Sequence, residues 1–157
     1  MKRAVWIGLA LGLFALAWPL LYPVYLIHST RKDNEGNYER HRDRYEAILA
    51  TLKKLEVPER RMAFFFVAEN RDPSSLRPLK EMELNNERHH YIKSGRHLDV
   101  VWHQDGALVA TFYNKDLGAF GGTWVTIHSP VNPNATQVVP LGSFKQVAPN
   151  WWAGHID

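Results

Sequence analysis

The sequence predicts an α+β protein: an N-terminal transmembrane helix, one amphipathic helix, and then an antiparallel sheet of about four to six strands. Three observations predict it. Residues 4–27 carry no charged side chain. Residues 38–56 repeat apolar side chains at spacings of three and four. From Met62 onward the apolar runs have strand length, and turn residues separate them.

A helix over residues 4–27 is about 36 Å long at roughly 1.5 Å per residue, enough to cross a hydrocarbon core of about 30 Å. We read residues 1–28 as an uncleaved signal anchor. A cleaved signal peptide is the alternative, with Lys2-Arg3 as its charged start, Val5 to Phe14 as its apolar region and Ala15-Leu16-Ala17 as the cleavage site. Cleavage there leaves the apolar stretch Trp18 to Ile27 as a new N-terminus. A helix inside a soluble core is the third reading, and the rest of the chain is small for surrounding it. Pro19 and Pro23 remove backbone donors and predict a kink near Trp18. Trp18, Tyr22 and Tyr25 fit an aromatic belt at the membrane interface. Lys2 and Arg3 favour a cytoplasmic N-terminus, although Arg31, Lys32, Arg40 and Arg42 flank the other end. The short leading tail places the domain on the extracytoplasmic side.

Composition bounds the remainder. The chain has 157 residues and a sequence pI near 9.2. Taking Lys2 and Arg3 from its 19 basic residues leaves 17 against 16 acidic ones, so the domain is close to neutral. Arg40, Arg42 and Arg44 alternate with Glu39, Asp43 and Glu46, which is a solvated helix face and not a basic stripe for nucleic acid. No cysteine is present, which excludes disulfides, thiolate metal sites and a thiol nucleophile. Asn134-Ala135-Thr136 matches the glycosylation sequon, a short and permissive pattern.

Residues 29–37 are polar, contain Gly36, and read as a juxtamembrane linker ahead of one α+β domain over 38–157. Asn37 is the expected cap of the amphipathic helix. That helix carries Tyr38, His41, Tyr45, Ile48, Leu52 and Leu55 on one face, and Pro58 ends it. Met62 to Ala68 reads as a strand, Asn70 to Pro78 as a loop, and Leu79 to Asn86 as ambiguous. Asp105-Gly106 between His97–Gln104 and Ala107–Tyr113 signals a two-residue hairpin pairing Gln104 with Ala107 and Trp102 with Val109. Its core face is then Leu98, Val100, Trp102, Val109 and Tyr113; His97, Asp99, His103, Leu108 and Phe112 lie on the other. Gly118 to Gly122 reads as a turn and Thr123 to His128 as a strand. Gln137 to Leu141 and Phe144 to Val147 read as edge strands.

Chemistry is sparse. Among the 8 histidines, His97 and His103 are six residues apart on one strand, about 20 Å at roughly 3.3 Å per residue, and cannot share an ion. His97 and Asp99, joined by His128 or His90 from a neighbouring strand, are the candidate metal ligands, with surface histidines the simpler explanation. No nucleophile elbow, phosphate loop or metal-protease spacing occurs, so no catalytic residue and no cofactor is assigned. Trp124, Trp151 and Trp152 are the candidate interaction surface, with core packing as the alternative.

Gly122-Thr123-Trp124-Val125-Thr126-Ile127-His128-Ser129-Pro130, followed by Pro149-Asn150-Trp151-Trp152, resembles the ending of small uncharacterised bacterial proteins. These have an N-terminal membrane segment, a short helix and a strand-rich domain, and the likeness covers roughly residues 38–152. It implies no activity. The order of hydrophobic helix, amphipathic helix and antiparallel sheet also resembles pseudopilins. The chain departs from them in lacking a peptidase-processed start and an early glutamate, and Gly36 and the prolines interrupt the long helix. The expected function is a non-enzymatic, membrane-anchored binding or assembly module. Its expected partners are the lipid bilayer and a protein or a second copy, not nucleic acid. A subunit of a larger membrane or secretion complex and a small metal-dependent hydrolase are the alternatives.

Overall fold

The apolar N-terminal segment does not stop where its hydrophobicity stops. In the computed structural model, which describes residues 2–55, 62–68, 71–80, 97–102, 107–116, 122–133 and 142–156, helix α1 runs from Lys2 to Arg40 without interruption. Its 39 residues make a rod of about 58 Å. Pro19 and Pro23 lie inside it. Helix α2 (Arg42–Leu52) follows after the single residue His41. The His41 backbone, at φ −126° and ψ 20°, turns the chain, and its carbonyl accepts from the amides of Arg44 and Tyr45.

Two expectations are corrected here. Residues 29–37 are helix and not a linker, because Thr30, Asn34 and Tyr38, spaced by four, are all buried against the rest of the chain. Asn37 therefore lies within α1 and caps nothing; its side chain donates to the Tyr45 hydroxyl at 2.7 Å. Of the expected apolar stripe, Tyr38, Tyr45, Ile48 and Leu52 are buried, His41 is half-buried and Leu55 is exposed; Leu49, outside the expected stripe, is buried as well.

Seven strands form one antiparallel sheet among the described residues. They are β1 (Met62–Phe66), β2 (Arg77–Pro78), β3 (His97–Trp102), β4 (Leu108–Asp116), β5 (Thr123–His128), β6 (Gly142–Ala148) and β7 (Trp151–Ile156). Their order across the sheet is β2-β1-β3-β4-β5-β7-β6. The fold class is thus α+β as expected, with one strand more than the expected upper number. Strand β2 comes from the stretch expected as loop, after a 3-10 turn at Pro73–Ser75 capped by the Asp72 side chain. Strand β6 is an edge, as the sequence suggested, and β7 lies inside the sheet. The turn at Gly118–Gly122, the segments around Asp105-Gly106, Pro58 and Asn134–Thr136, and the expected strand at Gln137–Leu141 fall outside the described residues, Gly122 itself excepted.

The β3–β4 register departs from the expected hairpin by one residue. Trp102 opposes Leu108 and Val101 opposes Val109. Five residues then separate Trp102 from Leu108, an odd number that a two-residue turn cannot close. A one-residue shift exchanges the faces of a strand. Leu108, Ala110 and Phe112 consequently join Tyr38, Tyr45, Ile48, Leu49, Leu52, Phe65, Val67 and Trp151 in the cluster beneath the helices. Val109 and Tyr113, expected in that core, lie on the opposite face with Val125, Ile127, Phe144 and Ile156. Both faces of the sheet are therefore buried at its centre, and each large side chain withdrawn from water contributes about 1.5–3 kcal/mol.

The last hairpin is tight. Pro149 and Asn150 connect β6 to β7, and Asn150 has φ 63°. Proline first and an asparagine tolerant of positive φ second is the residue choice of a type II turn. Gly154 faces Phe144 across these strands, and a Cβ there would collide with the Ser143 carbonyl and the Phe144 ring. Gly154→Ala should destabilise the chain by about 1–3 kcal/mol through overpacking. Chemical denaturation of the full chain in detergent, compared with wild type, measures this; an unchanged midpoint would mean that β6 yields freely.

Candidate functional site

Strand β4 contains an irregularity next to the helices. Tyr113 opposes Val125, but Lys115 opposes Trp124, so Asn114 is an extra residue in the ladder. Such a bulge re-aims a side chain. Here it directs Asn114 into a polar network with α1. The Asn114 Nδ2 group donates to Asn34 Oδ1 at 2.6 Å and to Thr126 Oγ1 at 2.8 Å. Its Oδ1 accepts from the Tyr45 hydroxyl at 3.1 Å and from Arg71 Nη2. Asn34 in turn donates Nδ2 to two strand carbonyls, Val125 at 3.0 Å and Gly154 at 3.2 Å. Asn34 is 4% exposed, so each of these bonds forms away from bulk water.

Arg71 reaches the same network from the segment after β1. Its backbone φ of 57° is in the left-handed region, which a non-glycine residue occupies only when its surroundings hold it there. Several contacts hold it. Its amide donates to the Ala68 carbonyl at 2.7 Å, and Nη2 donates to the Tyr113 carbonyl at 3.0 Å. The guanidinium lies over the rings of Tyr45 and Phe112, 5.2 and 5.6 Å from their centroids. A second tie joins helices and sheet at Glu46, whose Oε1 accepts from Tyr38 at 3.0 Å and from Trp151 Nε1 at 2.9 Å. Burial, and then the Glu46 carboxylate beside it, push the Tyr38 phenol up to about 12.

Asn34, Asn114 and Arg71 line a cavity of about 200 Å³ between α1 and the sheet. Thr30, Asn34, Arg71 and Trp124 form its buried part, and Asp33, Arg40 and Lys115 are exposed at its rim. Asp33 and Arg40 pair at 3.8 Å. Burial and the neighbouring Arg44, Arg40 and Arg71 charges lower the pKa of His41, which also lines the cavity. A second hollow of about 330 Å³ lies on the other side of α1, among Ile27, Arg31, Glu35, Lys145 and His155. Glu35 there accepts from Lys145 at 2.7 Å and from Arg31 at 3.0 Å, and these bonds hold its carboxyl below the usual range. Trp124 lines both hollows.

The residues singled out from sequence are dispersed. Asp99 opposes Thr111, and His97 opposes Phe66, whereas His128 opposes Ala110, a register position of the other face. His97 and Asp99 thus hold register positions of one face and His128 a position of the other. Among the described residues, no three His, Cys, Asp or Glu side chains gather as a metal site would require. His128 instead packs edge-on to Trp151 at 5.1 Å, with Nδ1 3.1 Å from the Leu108 carbonyl. Of the tryptophans, Trp151 is core and Trp124 is buried at the cavity. Trp152 is half-buried and donates to the Ser129 carbonyl at 3.1 Å. Asn34, Asn114 and Arg71 had no part in the sequence reading. The spacing of Thr30, Asn34 and Tyr38, which continues the Tyr38–Tyr45–Leu52 stripe backwards, was the available signal. No family model matches the chain, and no curated protein or solved structure is significantly similar to it.

Two outcomes follow from this geometry. Asn34→Leu keeps the volume but strands the Asn114 amide and two strand carbonyls, and should lower the unfolding free energy of the full chain by about 2–3 kcal/mol. An unchanged denaturation midpoint would show that the Asn34 hydrogen bonds do not stabilise the fold. Burial lowers the pKa of His128, and the Leu108 carbonyl opposes this only in part. The unfolded chain therefore takes up a proton near pH 6.5 that the native chain resists, so stability falls as pH drops below about 6.5. His128→Gln should flatten that slope in a pH series of thermal melts, leaving the part due to His41.

Proposed function

We propose that this chain is a membrane-anchored, non-enzymatic binding module, with helix α1 as a single transmembrane anchor and the α+β domain held against the extracytoplasmic surface. One observation carries the reading: α1 has two parts of opposite character. Leu16, Leu20 and Val24 are 76, 77 and 65% exposed, and the described side chains from Gly12 to Ile27 show nothing but apolar and aromatic surface. From Thr30 onward the same helix is fastened to the sheet. By length and composition it is capable of crossing a bilayer. A bare apolar rod of this kind is costly in water, while in lipid its backbone groups are satisfied within the helix. Phe14, Trp18 and Tyr22 stack along one side at 5.3 and 6.0 Å, a ladder suited to the lipid interface.

A second reading, an assembly subunit of a larger membrane complex, draws support from the continuity of α1. Gly36 and the prolines lie inside α1 and do not interrupt it, so that departure from a long-helix-plus-sheet plan falls away. In this reading the partner is a second copy or a related subunit packed along the exposed half of α1.

A pair of C-terminal reporters, one active only outside the cytoplasm and one fluorescent only inside it, tests the anchor together with the intact mass of the mature chain. The anchor reading expects a carbonate-resistant membrane protein, an external reporter and an N-terminus that precedes Trp18. A soluble product starting at Trp18 would identify a cleaved signal peptide and end the anchor reading. Crosslinking in detergent separates the two partners: a ladder of self-linked species that vanishes when Leu16 and Leu20 are changed to Ala favours assembly.

A further inference from the structure

Three buried side-chain polar atoms lack a hydrogen-bond partner among the described residues: Thr30 Oγ1, Arg71 Nη1 and Trp124 Nε1. All three residues line the same polar cavity. They arrive from three separate places, namely α1, the segment after β1, and β5. Thr30 is 4%, Arg71 5% and Trp124 4% exposed, so bulk water does not compensate them. Buried polar groups are nearly always paired, and three residues that each carry an unpaired, enclosed polar atom in the lining of one hollow point to a missing partner there.

The donor set defines that partner's chemistry. An indole N–H and a guanidinium N–H only donate, and a threonine hydroxyl is able to donate as well. The partner must therefore accept. Arg71 also brings a full charge that its neighbours leave unneutralised: Nη2 is committed to the Tyr113 carbonyl and to Asn114, both neutral. Among the described residues the ion pairs are Arg31–Glu35, Arg40–Asp33 and Lys145–Glu35, and none involves Arg71. The one carboxylate at the rim, Asp33, faces Arg40, and Lys115 adds a further positive charge there. Water would occupy the donors but leave the charge. An oxyanion answers both.

We propose that this hollow is a phosphate-binding site in which Arg71 Nη1, Trp124 Nε1 and Thr30 Oγ1 donate to the phosphate oxygens. The phosphate has two possible sources, a phospholipid headgroup or a free phosphate group from solution. Thr30 lies three residues past Ile27, about 4–5 Å along the helix, and each headgroup layer is about 5–8 Å deep. With Ile27 at the edge of the hydrocarbon, the site opens at headgroup level. This lipid arm rests on the anchor reading above; the phosphate chemistry does not.

The test uses the full chain, labelled with ¹⁵N, in an uncharged maltoside detergent and in phosphatidylglycerol nanodiscs. The indole N–H signal of Trp124 is identified by its loss in Trp124→Phe. Inorganic phosphate, titrated against chloride at constant ionic strength in detergent, should shift that signal saturably. Thr30→Val should weaken the apparent affinity about tenfold, the effect of one hydrogen bond to a charged group. In nanodiscs, a signal already at the shifted position and insensitive to added phosphate identifies the lipid headgroup. A signal that still titrates identifies free phosphate. No shift in detergent and no difference in nanodiscs would overturn the site, as would an unchanged affinity in Thr30→Val. A chain that proves to start at Trp18 still contains all three donors, so a phosphate shift in it would sink the anchor and keep the site.

Discussion

The structure depends on one asparagine. Asn34 stands on α1 where the helix meets the sheet, and its side chain bonds to β5, to β7 and to the bulged residue of β4. Without it, the buried part of the helix–sheet contact would be apolar, which is non-directional, and the exposed Glu35–Lys145 bond would be the remaining polar tie from α1 to the sheet among the described residues. With it, the rotation of α1 about its axis and its height on the sheet are both specified. The cost of burying the amide is offset because its three partners are themselves polar groups with little access to water.

That contact organises what lies around it. Asn114 reaches Asn34 only because β4 is bulged, and Arg71 is held in a left-handed conformation by Asn114 and by the Tyr113 carbonyl. Tyr45 joins from α2, so both helices and three strands share one hydrogen-bonded centre. The apolar cluster of Tyr38, Tyr45, Phe112 and Trp151 lies beside it. Those rings stack at 4.8 to 5.9 Å, and their hydroxyl and indole groups end on Glu46 or Asn114. Packing supplies the bulk of the stability, and the polar groups choose the arrangement.

Much of the fold was readable from periodicity. Residues 38–52 announce their buried face by apolar spacing, and Met62–Phe66 and Thr123–His128 announce strands by length and composition. The β3–β4 register was not readable, because an Asp-Gly pair fits loops of more than one length and a single residue exchanges the faces. The helix over 29–37 was hidden for a related reason. Its buried residues are Thr30 and Asn34, which a hydrophobic pattern does not count, and Gly36 argued for a break. The Pro149-Asn150 hairpin and strand β7 were not foreseen, although a proline followed by an asparagine is a turn signal. The cavity was beyond reach: its lining joins α1 residues to Arg71, Asn114, Lys115 and Trp124, and only the assembled sheet brings them together.

A chain hung from a flexible tether swivels and presents every side in turn. This one has no such joint. The rod that bears the bare apolar surface is the same rod that Asn34 pins to the sheet, so a roll of the helix about its axis is a roll of the whole domain. The domain therefore has a fixed bearing relative to its own stem, like a flag on a stiff pole. A neighbour that grips the stem sets the direction in which the sheet and its cavity look.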